Sequence, residues 1–326
     1  MTIAVTGSMA YDYIMSFPGR FVDHILPDQL QILSVSFLVD SMRRERGGCG
    51  GNIAYNLALL GQHPLLMATV GQDAPEYVAW LRDHGVDTSG VLQLHDEFTA
   101  SFFVSTDQDN NQIASFYTGA MAKAGRISFK DNNPAEIEIA IISPNDPSAM
   151  VKYARECQEL GIPYIYDPSQ QIPRLSPTEL VEGIRGAKVL IVNDYEFGMI
   201  KKQTDLSDEA IQRLTEVVVI TRGERGSTVR TSGEVYEIPS VPPRRVADPT
   251  GVGDAYRAGF ITGMCQGLPW EVVGRIGSLA ATYVLEEHGT QRHRYSLQSF
   301  CQRYRDVFGS ESGLLGSEVR KGISSK

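Results

Sequence analysis

Several things are scarce or missing in this 326-residue chain. No apolar run reaches the length of a membrane-spanning helix. The first residues, Met1-Thr2-Ile3-Ala4-Val5, enter a strand-like run directly, without the basic and apolar regions of a signal peptide. A cytoplasmic protein with no membrane partner is expected. Cysteine is sparse: Cys49, Cys157, Cys265 and Cys301 lie far apart. No C-x-x-C pair suggests zinc or dithiol exchange, and free, mostly buried thiols are expected. Positive charge is in deficit, with 30 Lys and Arg against 39 Asp and Glu and a formal net charge of −9. Such a balance repels nucleic acid and anionic lipid, so no nucleic-acid partner is expected. A local anion site made of backbone N–H groups needs no net positive charge and remains open. The sequence has no Walker A loop, no dinucleotide G-x-G-x-x-G after its first strand, no G-x-S-x-G elbow and no H-E-x-x-H. Hydrolase and zinc-protease readings therefore lack motif support. Internal repeats and long linkers are absent too.

What is present is an ordinary globular composition, 42% hydrophobic and 21% charged, arranged in a clear rhythm. Short β-branched runs at 3–6, 65–70, 137–142, 164–166, 189–192 and 217–221 alternate with helix-like segments at 52–60, 147–160, 177–184, 194–201 and 207–213. That alternation predicts an α/β fold with a mostly parallel sheet covered by helices on both faces. Helical periodicity dominates the C-terminal third, over 253–265, 270–287 and 297–308. Two stretches break the rhythm. In the second, strand-like runs at 101–105 and 113–117 flank Asp107-Gln108-Asp109-Asn110-Asn111, a hairpin signature. The expected organisation is a large α/β domain from 1–12, 47–98 and 118–310, a small β-sheet lid from 13–46 and 99–117, and a loosely held tail at 311–326. An ordinary surface hairpin would show the same local pattern as a lid.

The strongest chemical signal is Asp248-Pro249-Thr250-Gly251-Val252-Gly253-Asp254 running into a helix. Glycines at a helix start let successive N–H groups converge on one point, where the helix dipole also favours negative charge. Asp254 in the first turn then suits a base that takes a proton from an attacking hydroxyl. On these residues alone, an ordinary helix start with a dipole-favoured Asp competes with that reading. The second signal is Arg46-Gly47-Gly48-Cys49-Gly50-Gly51-Asn52, where closely spaced glycines permit a ligand to approach the backbone and Asn52 offers a donor and an acceptor. Three weaker signals follow strands: Ser8 with Asp12, Asn193-x-x-Glu196, and Thr221-x-Gly223-x-x-Gly226. A carboxylate beyond a strand end can grip a ligand, and an amide with a carboxylate one turn on can hold phosphate and a magnesium-bound water.

In this order, the Gly-rich run at 47–52, N-x-x-E at 193–196, T-x-G-x-x-G at 221–226 and D-x-T-G-x-G-D at 248–254 resemble the ribokinase (PfkB) family of sugar and nucleoside kinases, over nearly the whole chain from Gly7 to Gly289. The segments at 17–21, 36–40, 113–121, 145–147, 167–171 and 288–291 are similar to those of the actinobacterial-type adenosine kinases. The resemblance implies a ribokinase-like fold and transfer of the ATP γ-phosphate to the 5′-hydroxyl of adenosine. It implies Asp254 as base and the N–H groups of Gly251, Val252 and Gly253 as anion hole; Val252 stands where the family usually has Ala, which leaves a backbone donor unaffected. Asp12, Asn52 and Gly48 would hold the ribose, with Ser8 beside them. Phe102 and Phe116 would stack on adenine, with Gln170 and Gln171 in the same pocket. Asn193, Thr221, Gly223 and Gly226 would touch ATP, and Glu196 would order Mg2+ through water. Lids of two subunits often pack together in such enzymes, so a homodimer through the lid is implied. A sugar kinase acting on ribose, fructose or a related sugar is the alternative, and the aromatic pair favours the nucleoside.

Overall fold

The computed structural model describes residues 2–309; the expectation of a loose tail at 311–326 lies outside them. In chain order the strands are β1 (Thr2–Thr6), β2 (Ala10–Ser16), β3 (Ser41–Gly47), β4 (Pro64–Met67), β5 (Thr69–Val70), β6 (Leu92–Gln93), β7 (Ala100–Thr106), β8 (Gln112–Tyr117), β9 (Ile137–Ile142), β10 (Tyr164–Tyr166), β11 (Val189–Asn193), β12 (Val217–Thr221), β13 (Ser227–Arg230) and β14 (Val235–Ile238). The α-helices are α1 (Cys49–Leu59), α2 (Pro75–Asp83), α3 (Pro147–Leu160), α4 (Pro177–Ile184), α5 (Asp194–Thr204), α6 (Asp208–Gln212), α7 (Val252–Cys265), α8 (Trp270–Leu285) and α9 (Leu297–Phe308).

The large sheet runs β14-β13-β12-β11-β10-β9-β1-β4. It is parallel from β4 to β12, and β13 and β14 close it as an antiparallel edge. Its strands read as continuous apolar runs because both faces are covered. Ile3, Val5, Ile139, Ile141, Val217 and Val219 point to one face and pack with Ile53, Leu57, Phe260, Ile276 and Leu279 from α1, α7 and α8. Their neighbours Ala4, Ala140, Ile142, Val218 and Ile220 point to the other and meet Met150, Tyr153, Leu180, Phe197 and Ile200 from α3, α4 and α5. Because β4, β1 and β9 to β12 run parallel, their C-terminal ends lie along one rim of the sheet, where open α/β folds bind ligands.

A separate four-stranded sheet, β3-β2-β7-β8, stands beside that rim. The expected hairpin is there: β7 and β8 pair antiparallel, with Phe102 directly opposite Phe116. Asp107 closes its turn by accepting from the N–H groups of Asp109 and Asn111 and, across the sheet, from Phe21.

Three local expectations are corrected. The run at 65–70 is two strands: β4 belongs to the large sheet, whereas β5 pairs with β6 in a two-stranded sheet of its own. The α1 helix begins at Cys49, not Asn52, so Gly50 and Gly51 form its first turn. Gly50 is pressed against the β1–β2 connection, where a Cβ would lie 2.8 Å from the carbonyl carbon of Gly7, and a Cβ on Gly51 would strike the Tyr77 hydroxyl. Finally, Asp12 sits inside β2, paired with Glu45 and Phe102 in the small sheet, rather than on the large domain's strand end. The alternating Tyr11-Asp12-Tyr13-Ile14-Met15 extends as a strand almost at once after β1.

Candidate active site

The rim of the large sheet and one face of the small sheet enclose a cavity of about 580 Å3. Residues that follow successive parallel strands line its floor: Ser8 after β1, Pro144 after β9, Ser169 and Gln171 after β10, Asn193 at the end of β11 and Thr221 at the end of β12. The starts of α1 and α7 supply Gly48, Cys49, Asn52, Gly251, Gly253 and Asp254, and the small sheet adds Asp12, Phe102 and Phe116. Gln170 and Glu196 are present as well. Residues from Ser8 to Asp254 are thus brought together around one space. Val252, Gly223 and Gly226 are not in its lining. The N–H of Val252 turns back to the Pro249 carbonyl at 3.4 Å, and Gly223 and Gly226 bracket the short turn between β12 and β13.

The chemistry converges on the start of α7. Gly251 takes φ +78°, and a Cβ there would lie 2.9 Å from Thr290 Cγ2, so glycine is needed on both counts. Asp248 ties this turn down: its Oδ1 accepts from Thr250 N (2.9 Å) and its Oδ2 from Gly289 N (3.3 Å). The result is a helix N-terminus open to the cavity, whose free N–H groups and dipole attract an anion. Asp254 is held there by Asn52, whose Nδ2 donates to Asp254 Oδ2 at 2.8 Å. The other end of that amide, Oδ1, accepts from Gln291 Nε2 at 3.1 Å, and Gln291 also bonds the Tyr77 hydroxyl at 2.5 Å. Asn52, expected to offer both ends to a sugar, instead spends both on aligning the carboxylate. Burial pushes the Asp254 pKa up, while Arg257, Asn52 and the Cys49 thiol oppose the rise. A raised carboxylate is a stronger base than a free one.

Beneath Asp254 lies a group that motif reading left unassigned. Arg257, one turn on in α7, is 7% exposed and pairs with Asp167, itself 1% exposed, through two contacts of 2.5 Å. A Cβ on Gly253 would approach Arg257 Nη1 to 2.7 Å, so the guanidinium lies directly against the anion-binding turn. Burial pushes Asp167 up, to about 7, against the pull of Arg257. Burial also disfavours the Arg257 charge, but Asp167 and Asp254 outweigh it and raise its pKa. The arginine therefore stays charged. The i, i+3 spacing from Asp254 was the available sequence signal.

Asn193 and Glu196 form a reciprocal capping box at the start of α5: Asn193 Oδ1 accepts from Glu196 N and Glu196 Oε2 from Asn193 N, both at 2.8 Å. The second oxygen, Oε1, lies 3.0 Å from Ser169 Oγ on the cavity wall. Ser169 has φ +39°, a strained value for a residue with a side chain. On the opposite side, Asp12 receives a hydrogen bond from none of the described residues. Burial pushes its pKa up to about 6, reinforced by the like charges of Glu45, Asp248 and Asp254. Facing acids on paired strands cost stability, and Glu45 is in turn neutralised by Arg292 at 2.7 and 2.9 Å. Phe102 is half-buried and Phe116 is 51% exposed, leaving an apolar wall that its own sheet does not cover.

This site, at the strand ends of a ribokinase-like α/β sheet with an anion cradle and a recessed carboxylate, defines a phosphotransferase. A family model described as pfkB family carbohydrate kinase matches residues 5–295, and the chain belongs to that family. Kinases of this family are ATP-dependent phosphotransferases, with Mg2+ as their usual cofactor. Among solved structures, the chain is similar to a nucleoside kinase of Burkholderia thailandensis in complex with inosine, with 37% identity, a TM-score of 0.85, and 95% of this chain and 99% of that one covered. A nucleoside kinase of Methanothermobacter thermautotrophicus is 30% identical over 95% of this chain and 97% of its own length. A cytidine kinase of Thermococcus kodakarensis is 29% identical over 74% and 88%. The residues present fit the cofactors: the α7 turn offers donors to phosphate, and Glu196 offers a carboxylate on the cavity wall. Among the described residues no cluster of three or more His, Cys, Asp or Glu forms a metal cage.

Proposed function

We propose that this protein is a nucleoside kinase that phosphorylates the 5′-hydroxyl of adenosine, giving AMP and ADP. The observation that carries this reading is the pairing of Asp254 at the α7 anion cradle with the half-buried Phe102 and the exposed Phe116 across the same cavity. ATP supplies the phosphoryl group and Mg2+ offsets its charge. Asp254, aligned by Asn52, takes the proton from the acceptor hydroxyl. The N–H groups at 251 and 253, with Arg257 behind them, meet the negative charge that spreads over the transferring group. Asn193, Thr221 and the 223–226 turn hold the nucleotide, and Glu196 faces the metal through water. Asp12, lacking a partner of its own, accepts from the 2′- and 3′-hydroxyls beside Gly48 and Ser8. Phe102 and Phe116 stack on the base, a contact worth about 1–3 kcal/mol per ring. Gln170 and Gln171 each carry an amide that can meet either a 6-amino or a 6-oxo group. The inosine complex of the Burkholderia relative therefore makes inosine the second reading.

The small sheet acts in this reading as a lid over the acceptor, excluding water from the reaction. Its outer parts carry apolar surface that the chain does not cover. Between β2 and β3, Phe17, Phe21 and Phe37 pack ring on ring, but Leu26, Ile32 and Leu38 are 59%, 75% and 87% exposed. A second copy related by a two-fold axis covers such a patch with its own equivalent, and we place the lid at a homodimer interface. Sedimentation at micromolar concentration checks it: a dimer is expected, and a fully active monomer contradicts it. The four cysteines are free, which suits a reducing, cytoplasmic setting.

ADP release measured in parallel with adenosine, inosine, cytidine, ribose and fructose tests the substrate. Adenosine is expected to give the highest kcat/KM, inosine to follow, and the free sugars to be poor. A preference for ribose or fructose over every nucleoside overturns the reading in favour of a sugar kinase.

A further inference from the structure

A second cavity, about 390 Å3 in volume, lies behind the catalytic constellation, and its charge runs against that of the whole chain. Four guanidiniums line it, from Arg44 and Arg46 on β3 and from Arg292 and Arg294 in the 288–295 segment. Arg44 and Arg46 share one carboxylate, Glu76, at 3.1 and 3.5 Å, and Arg292 takes Glu45. Arg294 has no carboxylate partner among the described residues. It reaches the carbonyls of Gln291 and His293 at 3.5 and 3.4 Å and His84 Nε2 at 3.2 Å, and lies over the rings of Tyr55 and Trp80. In a chain of net charge −9, a pocket where four arginines meet two carboxylates is a local attractor for an oxyanion.

The second observation is at the inner wall. Gln291 is 4% exposed and lines this cavity, and its Oε1 has no hydrogen-bond partner among the described residues. Its orientation is not arbitrary. Asp254 accepts only, so Asn52 must turn its Nδ2 to it; Asn52 Oδ1 then faces Gln291 and requires Nε2 there. The Oε1 is left over by that chain of choices, and an orphaned buried acceptor is costly. We propose that this pocket binds a small phosphate monoester that carries a hydroxyl: the phosphate on the guanidiniums of Arg294 and Arg46, the hydroxyl donating to Gln291 Oε1. A nucleobase is disfavoured because Arg46 and Arg294 already cover the face of Trp80, at 4.3 and 5.1 Å. The ligand would lock the amide that aligns Asn52 and Asp254, so its binding raises turnover.

Trp80 and Trp270 are the chain's two tryptophans, and Trp270 stacks on Phe260. The Trp270→Phe full-length protein therefore reports on the pocket through Trp80 fluorescence. Titration with ribose 5-phosphate is expected to give a saturable change, tighter than with inorganic phosphate, which satisfies less of the pocket. Arg294→Gln in that background should weaken binding by about tenfold. Should that variant fold poorly, Arg46→Gln should show the same loss. Asp254→Asn still offers Asn52 an acceptor oxygen, and Tyr77, which donates to the Gly47 carbonyl, still takes Gln291 Nε2, so binding should stay intact. In ADP-release assays, saturating ribose 5-phosphate should raise kcat/KM by about fivefold in wild type and not in Arg294→Gln. Absence of saturable binding, binding indifferent to both arginine substitutions, loss of binding in Asp254→Asn, or turnover unmoved by bound ligand overturns the proposal. The fluorescence readout holds whichever nucleoside the enzyme prefers.

Discussion

The two walls of the catalytic cavity are built differently. On the large-sheet side the catalytic carboxylate stands at the end of a chain of hydrogen bonds. Asp254 is aligned by Asn52, Asn52 by Gln291, Gln291 by Tyr77, and Tyr77 in turn donates to the Gly47 carbonyl at 2.8 Å. On the small-sheet side the Asp12 carboxylate has no donor among the described residues, and Phe116 is half in solvent. The first wall is finished before substrate arrives, which is what electrostatic stabilisation of a phosphoryl transition state requires. The second gains its contacts only from a ligand. Chemistry and recognition are thereby separated, and substitutions on the two walls should change different kinetic constants.

The largest effect is expected on the finished wall. Asp254→Asn keeps the size and the Asn52 contact but loses the base, and kcat should fall by about 10²–10⁴; near-normal turnover would remove Asp254 from its role. Arg257→Met comes next. It strands the buried Asp167 carboxylate, and urea unfolding should show a loss of about 3–5 kcal/mol. It also removes the cation that holds Asp254 down, so the acid limb of kcat should move to higher pH. A limb that stays put would show that Arg257 is structural only.

On the open wall, Asp12→Ala should erase discrimination between adenosine and 2′-deoxyadenosine, a ratio of about 10–100 if a charged acceptor bonds the missing hydroxyl. Equal kcat/KM for both nucleosides in wild type would contradict the assignment. The carboxylate must be ionised to accept those bonds. With its pKa raised to about 6, nucleoside affinity should hold above that pH and fall as pH drops through it. In Asp12→Asn that dependence should vanish. Phe116→Ala should have the smallest effect, raising KM by about tenfold with kcat within a few-fold.

The same division decides how far the sequence could be read. The large sheet was legible from its β-branched runs, but each strand-end signal alone reads as an ordinary turn, and it was the resemblance to the ribokinase family that joined Ser8, Asn193, Thr221 and Asp254 in one site. The partners of Asn52 were not, since Asp254 and Gln291 are 202 and 239 positions away and no local pattern records which donor faces which. Asp12 was read as a strand-end residue because the break between β1 and β2 is only three residues long. The buried Arg257–Asp167 pair hides in two motifs that were read for other reasons. Phe102 and Phe116 were named as a pair by the resemblance, and they do face each other across the hairpin.

Adenosine binding, measured by calorimetry on Asp254→Asn and Phe116→Ala beside steady-state turnover, tests the separation of the two walls directly. Asp254→Asn is expected to bind adenosine within about threefold of wild type while turnover falls by at least about 100-fold. Phe116→Ala is expected to bind about tenfold more weakly and, at saturation, to turn over nearly as fast. If Asp254→Asn loses binding along with turnover, or Phe116→Ala loses kcat with its affinity intact, chemistry and recognition are not divided between the two walls.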